Sequence, residues 1–276
     1  MAESDRRRRP EHRDDAPAGI AAAPAGTPRP PPGSLRLLEA RAPFELLAGL
    51  ALLGWQRLFG LELPRGDGAP VIVYPGLGVG DASSAPLRAF LRHAGHAPQG
   101  WRQGINDGPR PGVLDRCRRQ LAEVAASASR PVRLVGWSLG GLYARELANE
   151  RPELVAGVAT LGAPFAGSPR STAAWRAYER RSGLSSLDER PLPAYRPTPR
   201  CPTTSIYSRS DGFVAWPSSI ESLLPAHAEN VRVRASHLGL GVHPAVWIAL
   251  ADRLAQDPAH WHRFVAPARW RWWFPA

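Results

Sequence analysis

The sequence contains no lysine: the 35 residues counted as Lys or Arg are all arginine. They stand against 24 acidic residues, which leaves a formal net charge of +11 over 276 residues. Such an excess ordinarily suggests nucleic acid or an anionic surface as a partner. Here the exclusive use of arginine, the 30 prolines and the abundant alanine read as a bias of the whole chain, so no nucleic-acid partner is expected. Cysteine is almost absent too. Cys117 and Cys201 lie far apart and outside any metal-ligand spacing, so no metal or other cofactor is expected. Two free thiols in a reducing compartment, the cytoplasm, are the expectation. Long apolar runs are also lacking. The longest, residues 44–61, is interrupted by Glu45, Gln56 and Arg57, at the short end of the ~17–25 residues that a membrane span needs. The basic residues at 6–9 lead into acidic and Pro-rich sequence rather than an apolar stretch, so no secretory signal is expected.

What is present divides the chain. Residues 1–33 mix charge with Pro, Ala and Gly and offer too little apolar surface to fold alone, so a disordered tail is expected there. Residues 34–276 are long enough for a single domain with a buried core. It opens with an apolar helical segment over 34–63 and closes in a Trp/Arg-rich tail over 258–276. Between them, short apolar stretches at 71–74, 132–135 and 155–161 read as buried strands, joined by further strands at 95–101, 203–207 and 231–235. Helical spacing separates them over 81–93, 111–129, 139–149 and 244–254. This alternation predicts an α/β fold with a mostly parallel central sheet and helices on both faces. Residues 165–200 break the alternation. An insertion of that length is expected over the C-terminal ends of the strands, as a lid where substrates bind.

The chemistry centres on Gly136-Trp137-Ser138-Leu139-Gly140. A lone Gly-x-Ser-x-Gly is weak, but here an apolar strand runs directly into Gly136 and helical sequence follows Ser138, the strand–turn–helix context that an exposed serine nucleophile requires. A serine hydroxyl needs a base, and the base needs an acid to orient it. Asp211 follows the strand ending at Tyr207, and His237 follows the strand ending at Ala235. Both therefore leave the sheet edge that Ser138 leaves, in the chain order Ser, Asp, His. His227, His243, Asp188, Glu221 and Glu229 fit that edge less well. An oxyanion needs two backbone N–H donors. Leu139 supplies one by position, and Leu77, in the loop after the 71–74 strand, is the candidate for the other. Trp137 and Phe165 are candidate pocket residues for an apolar acyl group. Trp101 and Asn106 either line the pocket or shape its loop.

The ordered set VIVYPGLG, LVGWSLGG, ATLGAPFAG, YSRSDGFV and ASHLGL, spread over residues 70–255, resembles the α/β-hydrolase superfamily. The resemblance is to its lipase and esterase side, which includes inositol deacylases related to GPI processing. It implies Ser138 as nucleophile, Asp211 as acid, His237 as base, and Leu77 and Leu139 as oxyanion donors. Many relatives carry His-Gly where this chain has Pro75-Gly76. The implied activity is hydrolysis of carboxylic esters of apolar or lipid-like acyl groups. Acyl transfer to an alcohol and a silent hydrolase-fold binding protein remain the alternatives. The implied partner is a small-molecule or lipid ester. Peripheral membrane contact, through the 44–61 segment and the Trp/Arg tail, stays open beside a reading in which both segments clamp onto the core. No feature speaks to oligomeric state.

Overall fold

The computed structural model describes residues 28–59, 63–186 and 192–275; the tail reading for residues 1–27 and the alternative acid Asp188 lie outside them. The chain begins with a short helix α1 (Gly33–Leu37), a 3-10 turn (Leu38–Arg41) and a long helix α2 (Ala42–Phe59). One continuous helical segment was expected here. Pro43 explains the break: it has no N–H to give, so it is tolerated in the first turn of α2 and not inside a longer helix.

The core follows as β1 (Pro70–Tyr74), α3 (Ala85–His93), β2 (Ala97–Gly100), α4 (Val113–Ala128), β3 (Val132–Trp137), α5 (Leu139–Glu150) and β4 (Val155–Leu161). Then come α6 (Trp175–Ser182) within the insertion, β5 (Thr203–Ser208), β6 (Ala228–Val233) and α7 (Pro244–Ala255). The six strands form one sheet in the order β2-β1-β3-β4-β5-β6, and every pairing is parallel. Apolar clusters cover both faces. One stacks Phe90 of α3 on Trp247 of α7 at 4.9 Å and reaches Leu52 and Leu53 of α2. The other gathers Leu121 of α4 and Leu142 and Tyr143 of α5. Fully buried strands such as β1 therefore carry apolar residues on both sides of the pleat. Among the described residues no helix is long and apolar enough to cross a membrane.

Two boundaries differ from expectation. β6 starts at Ala228 because Thr203 of β5 pairs with it, whereas Ala-Glu-Asn has little strand propensity of its own. The helical stretch over 81–93 is a 3-10 turn (Asp81–Ser84) followed by α3. The Asp81 carboxylate does not cap it; it accepts the N–H groups of Trp101 (2.9 Å) and Arg102 (3.0 Å) instead.

The order of the strands places the site. β1 is flanked by β2 on one side and β3 on the other; the chain leaves β1 toward β2 and leaves β3 toward β4, in opposite directions. Loops beyond the C-terminal ends of β1 and β3 then diverge around a crevice, the usual place for a ligand in such a sheet.

Candidate active site

β3 ends at Trp137 and α5 begins at Leu139, leaving Ser138 alone on the turn with φ 54° and ψ −121°. That conformation costs an L-residue about 1–3 kcal/mol and persists only where its surroundings enforce it. The surroundings are visible in the flanking glycines. A side chain at Gly136 would run into the Gly140 carbonyl, and one at Gly140 into the Tyr74 carbonyl at the end of β1. The Ser138 N–H is fixed on the Leu161 carbonyl at 2.8 Å.

The structure brings the three expected residues together. His237 Nε2 lies 3.0 Å from Ser138 Oγ, and His237 Nδ1 lies 2.7 Å from Asp211 Oδ2. Asp211 and His237 are both buried. The second Asp211 oxygen accepts the N–H groups of Phe213 (2.8 Å) and Val214 (2.7 Å), which fixes the carboxylate's angle. Trp137 Nε1 donates to the His237 carbonyl at 3.1 Å. Burial pushes the His237 imidazole down; the carboxylates of Asp211 and Glu39 more than offset this and hold it above its ordinary value.

In the sequence Glu39 carries no functional signal and Glu45 reads only as an interruption of an apolar run. Both are buried, and both reach across from the N-terminal segment to the loops that carry Asp211 and His237. Glu39 accepts the N–H groups of Gly212 (2.8 Å), His237 (2.8 Å) and Leu238 (2.9 Å). Glu45 accepts the Ser236 N–H at 2.9 Å and the Ser236 hydroxyl, and Arg41 Nε holds it at 2.9 Å.

The loop after β1 arches over Ser138: a Cβ at Gly76 would sit 3.4 Å from the Cβ of Ser138. Buried Asn106 clamps that loop. Its Nδ2 donates to the Pro75 carbonyl (2.8 Å), its carbonyl accepts the Gly78 N–H (2.7 Å), and its Oδ1 accepts the Tyr143 hydroxyl (3.0 Å). Leu77 and Leu139 border the same cavity. Leu139 is the first residue of α5, where a backbone N–H precedes the helix's own hydrogen-bond ladder.

That cavity, about 340 Å³, opens on Ser138 and His237 and is walled by Leu77, Trp137, Leu139 and Leu142 from the core. Tyr178 and Ala177 of α6, with Leu192 and Tyr195, close it from the insertion. The insertion therefore stands where a lid was expected. Among the described residues that border it, Arg181 is the one arginine, and it is paired with Asp107 at 2.7 Å.

Two expected pocket residues are elsewhere. Trp101 is buried in the core, its ring parallel to that of Tyr143 at 6.3 Å and its Nε1 donating to the Gly104 carbonyl. Phe165 is buried beneath the guanidinium of Arg145, 3.7 Å from its ring centre. Each follows a strand end, but each side chain turns into the protein rather than toward the cavity. The alternative bases and acids have other tasks. His243 caps α7 by accepting the Ala245 N–H, and His227 bonds to the Pro199 carbonyl. Glu221 pairs with Arg145, and Glu229 with Arg253. Cys117 and Cys201 are free thiols. No cluster of His, Cys, Asp and Glu suited to a metal ion occurs among the described residues.

A serine hydroxyl, an imidazole and a carboxylate in this line can perform nucleophilic acyl transfer. Among solved structures, the chain is similar to Aspergillus fumigatus lipase B, with a TM-score of 0.52 and 17% identity over 72% of this chain and 55% of that one. It is similar to the mature Bacillus licheniformis lipase BlEst2, with a TM-score of 0.51 and 15% identity over 71% and 95% of the two chains. A Paleococcus ferrophilus monoacylglycerol lipase gives a TM-score of 0.50 and 16% identity over 69% and 97%. The likeness is one of fold, and the chain has the α/β-hydrolase fold. It spans little more than half of the Aspergillus lipase. No family model matches the chain. A cobalt-precorrin-5B C(1)-methyltransferase of Salinispora arenicola (strain CNS-205) is 31% identical over 127 residues, 46% of this chain. The matched stretch is only 28% of that protein's length.

Proposed function

We propose that the chain is a serine hydrolase cleaving carboxylic esters of apolar or lipid-like acyl groups, on the lipase and inositol-deacylase side of its fold. The observation that carries this reading is the single line of contacts from Asp211 through His237 to Ser138, at 2.7 and 3.0 Å, opening on an apolar cavity. His237 Nε2 takes the Ser138 proton as Oγ attacks the ester carbonyl carbon. Asp211 holds the imidazole in the tautomer that accepts at Nε2 and stabilises the imidazolium. The N–H groups of Leu77 and Leu139 receive the oxyanion. As the intermediate collapses, the C–O bond to the alcohol breaks and His237 returns the proton to the leaving oxygen. Water then attacks the acyl carbon and gives one proton to His237; the bond from that carbon to Ser138 Oγ breaks, the carboxylic acid departs, and His237 returns the proton to Oγ.

Apolar residues lining most of the cavity favour an alkyl or aryl acyl group over a charged one. The test is covalent labelling by a fluorophosphonate, followed by hydrolysis of p-nitrophenyl esters of increasing chain length. Ser138→Ala should abolish labelling and lower kcat by about four to six orders of magnitude. Labelling retained in that variant would overturn the assignment. An acceptor alcohol that captures the acyl group ahead of water would turn the reading toward acyl transfer.

A further inference from the structure

We propose that the outer face of α2, together with the C-terminal Trp/Arg segment, is a docking surface for an anionic lipid surface. It rests on the proposed chemistry only for what the bound enzyme would then do.

α2 buries one side against the core through Leu52 and Leu53. A helix on a protein surface normally turns polar residues outward. The outward side of α2 instead presents Phe44, Leu47, Trp55 and Leu58, at 72%, 63%, 56% and 78% exposure, spaced as one stripe. Leu238 extends the apolar surface to the cavity. It is 45% exposed, follows His237 and borders the cavity mouth. On the other flank the Trp273 ring stands edge-on to His243 at 6.0 Å, and Trp272 is exposed. An exposed apolar stripe of this kind marks a binding site rather than ordinary surface.

Charge selects the occupant. Within residues 33–58 and 258–275 the acidic side chains are Glu39 and Glu45, both turned inward. The exposed charges there include Arg36, Arg57, Arg263, Arg269 and Arg271. An apolar stripe rimmed by guanidinium groups and indole rings matches a bilayer interface, where arginine meets phosphate and tryptophan sits at headgroup depth. Two copies of the same cationic face would repel each other, which disfavours self-association. α2 lies on the surface rather than across it, because its inner side is committed to the core. Docked this way, the cavity mouth beside Leu238 faces the lipid, and an apolar ester enters without crossing water.

The experiment is co-sedimentation of the full chain, as Ser138→Ala so that turnover plays no part, with phosphatidylcholine vesicles containing about 30% phosphatidylglycerol. The chain should pellet with these vesicles, less with pure phosphatidylcholine, and less again at high salt. Phe44→Ser/Leu47→Ser should lower the bound fraction by about tenfold or more, since two deeply inserted apolar side chains are lost. In the wild-type background the same pair should leave hydrolysis of a soluble short-chain ester unchanged. A chain that stays in the supernatant with anionic vesicles overturns the proposal. So does a Phe44→Ser/Leu47→Ser variant that pellets like its parent, or a dimer in solution that the pair dissociates. Vesicle binding by a wild-type chain that no fluorophosphonate labels would uphold the docking surface while removing the proposed chemistry.

Discussion

Glu39 accepts three backbone N–H groups, one from the loop of Asp211 and two from the loop of His237. These loops leave neighbouring strands, and the shared carboxylate ties one to the other. Its charge also falls on the imidazole. Burial depresses His237, and Asp211 and then Glu39 lift it above its ordinary value. In the proposed mechanism His237 must be neutral to take the Ser138 proton, so kcat/KM should rise with pH through that lifted value. Glu39→Gln keeps the length, removes the charge and turns one acceptor into a donor. It should lower kcat about ten- to a hundredfold, because hydrogen bonds to a charged group contribute about 1.5–3 kcal/mol. It should also move the acid limb of kcat/KM to lower pH, the direction that follows from removing a negative charge. A drop in kcat with an unmoved limb would reduce Glu39 to a structural strut. Glu39 was not legible in the sequence because its partners lie more than 170 residues away and are backbone groups, which leave no side-chain signature. Ser138, Asp211 and His237 were legible because each follows a strand whose pattern is local. Trp101 and Phe165 show the limit of that logic: a strand end fixes where a residue is, not which way its ring points.

Within α5, two helical turns beyond Ser138, Arg145 holds the C-terminal part of the insertion. Its guanidinium donates to the carbonyls of Tyr195 (2.7 Å), Arg196 (3.0 Å) and Pro197 (3.0 Å) and pairs with Glu221. The same helix that follows Ser138 thus anchors the segment over the cavity. Arg145→Met would strand the buried Glu221 carboxylate, a loss of about 3–5 kcal/mol, read as a lower thermal midpoint. Arg145→Lys should restore little, since one ammonium cannot replace a planar fork on four acceptors. Arg145→Met/Glu221→Gln should recover part of the loss; a double variant as unstable as the sum of the single ones would deny the coupling. Glu146, next along α5, accepts the Ala194 N–H at 2.7 Å. Burial pushes its carboxyl up to about 7. Raised above its unfolded value, it contributes stability that is complete below about 4.5 and lost as pH rises through about 7. Glu146→Gln should flatten that part of the pH–stability curve, and an unchanged slope would contradict it. That the insertion borders the cavity was legible from its length. Its anchors were not, because buried Arg145 reads in sequence as one more solvated arginine.

The whole molecule closes on itself through its N-terminal segment. Gly212, beside Asp211, packs against Leu35 and Arg36 of α1, while Glu39 and Glu45 bind the turns after β5 and β6. The sheet, encoded by contiguous strands, could be read before the structure was known. This closure could not, because Glu45 reads in sequence as an interruption of an apolar run. In the fold that interruption is a ligand for backbone N–H groups, and the apolar residues around it divide between core and outer face. Truncation separates these tasks. A chain beginning at residue 33 keeps α1, Glu39, Glu45 and the stripe, so its fluorophosphonate labelling should match that of the full chain. A chain beginning at residue 42 keeps α2 and Glu45 but loses Glu39. Its sheet and apolar clusters are untouched, so circular dichroism should report a folded protein, while labelling should slow by about tenfold or more for want of bonds to a charged acceptor. Equal labelling rates in the two chains would mean that β5 and β6 alone set the positions of Asp211 and His237. Slower labelling in the shorter chain would mean that a carboxylate ahead of the whole sheet sets the spacing of Asp211 and His237 at its far edge.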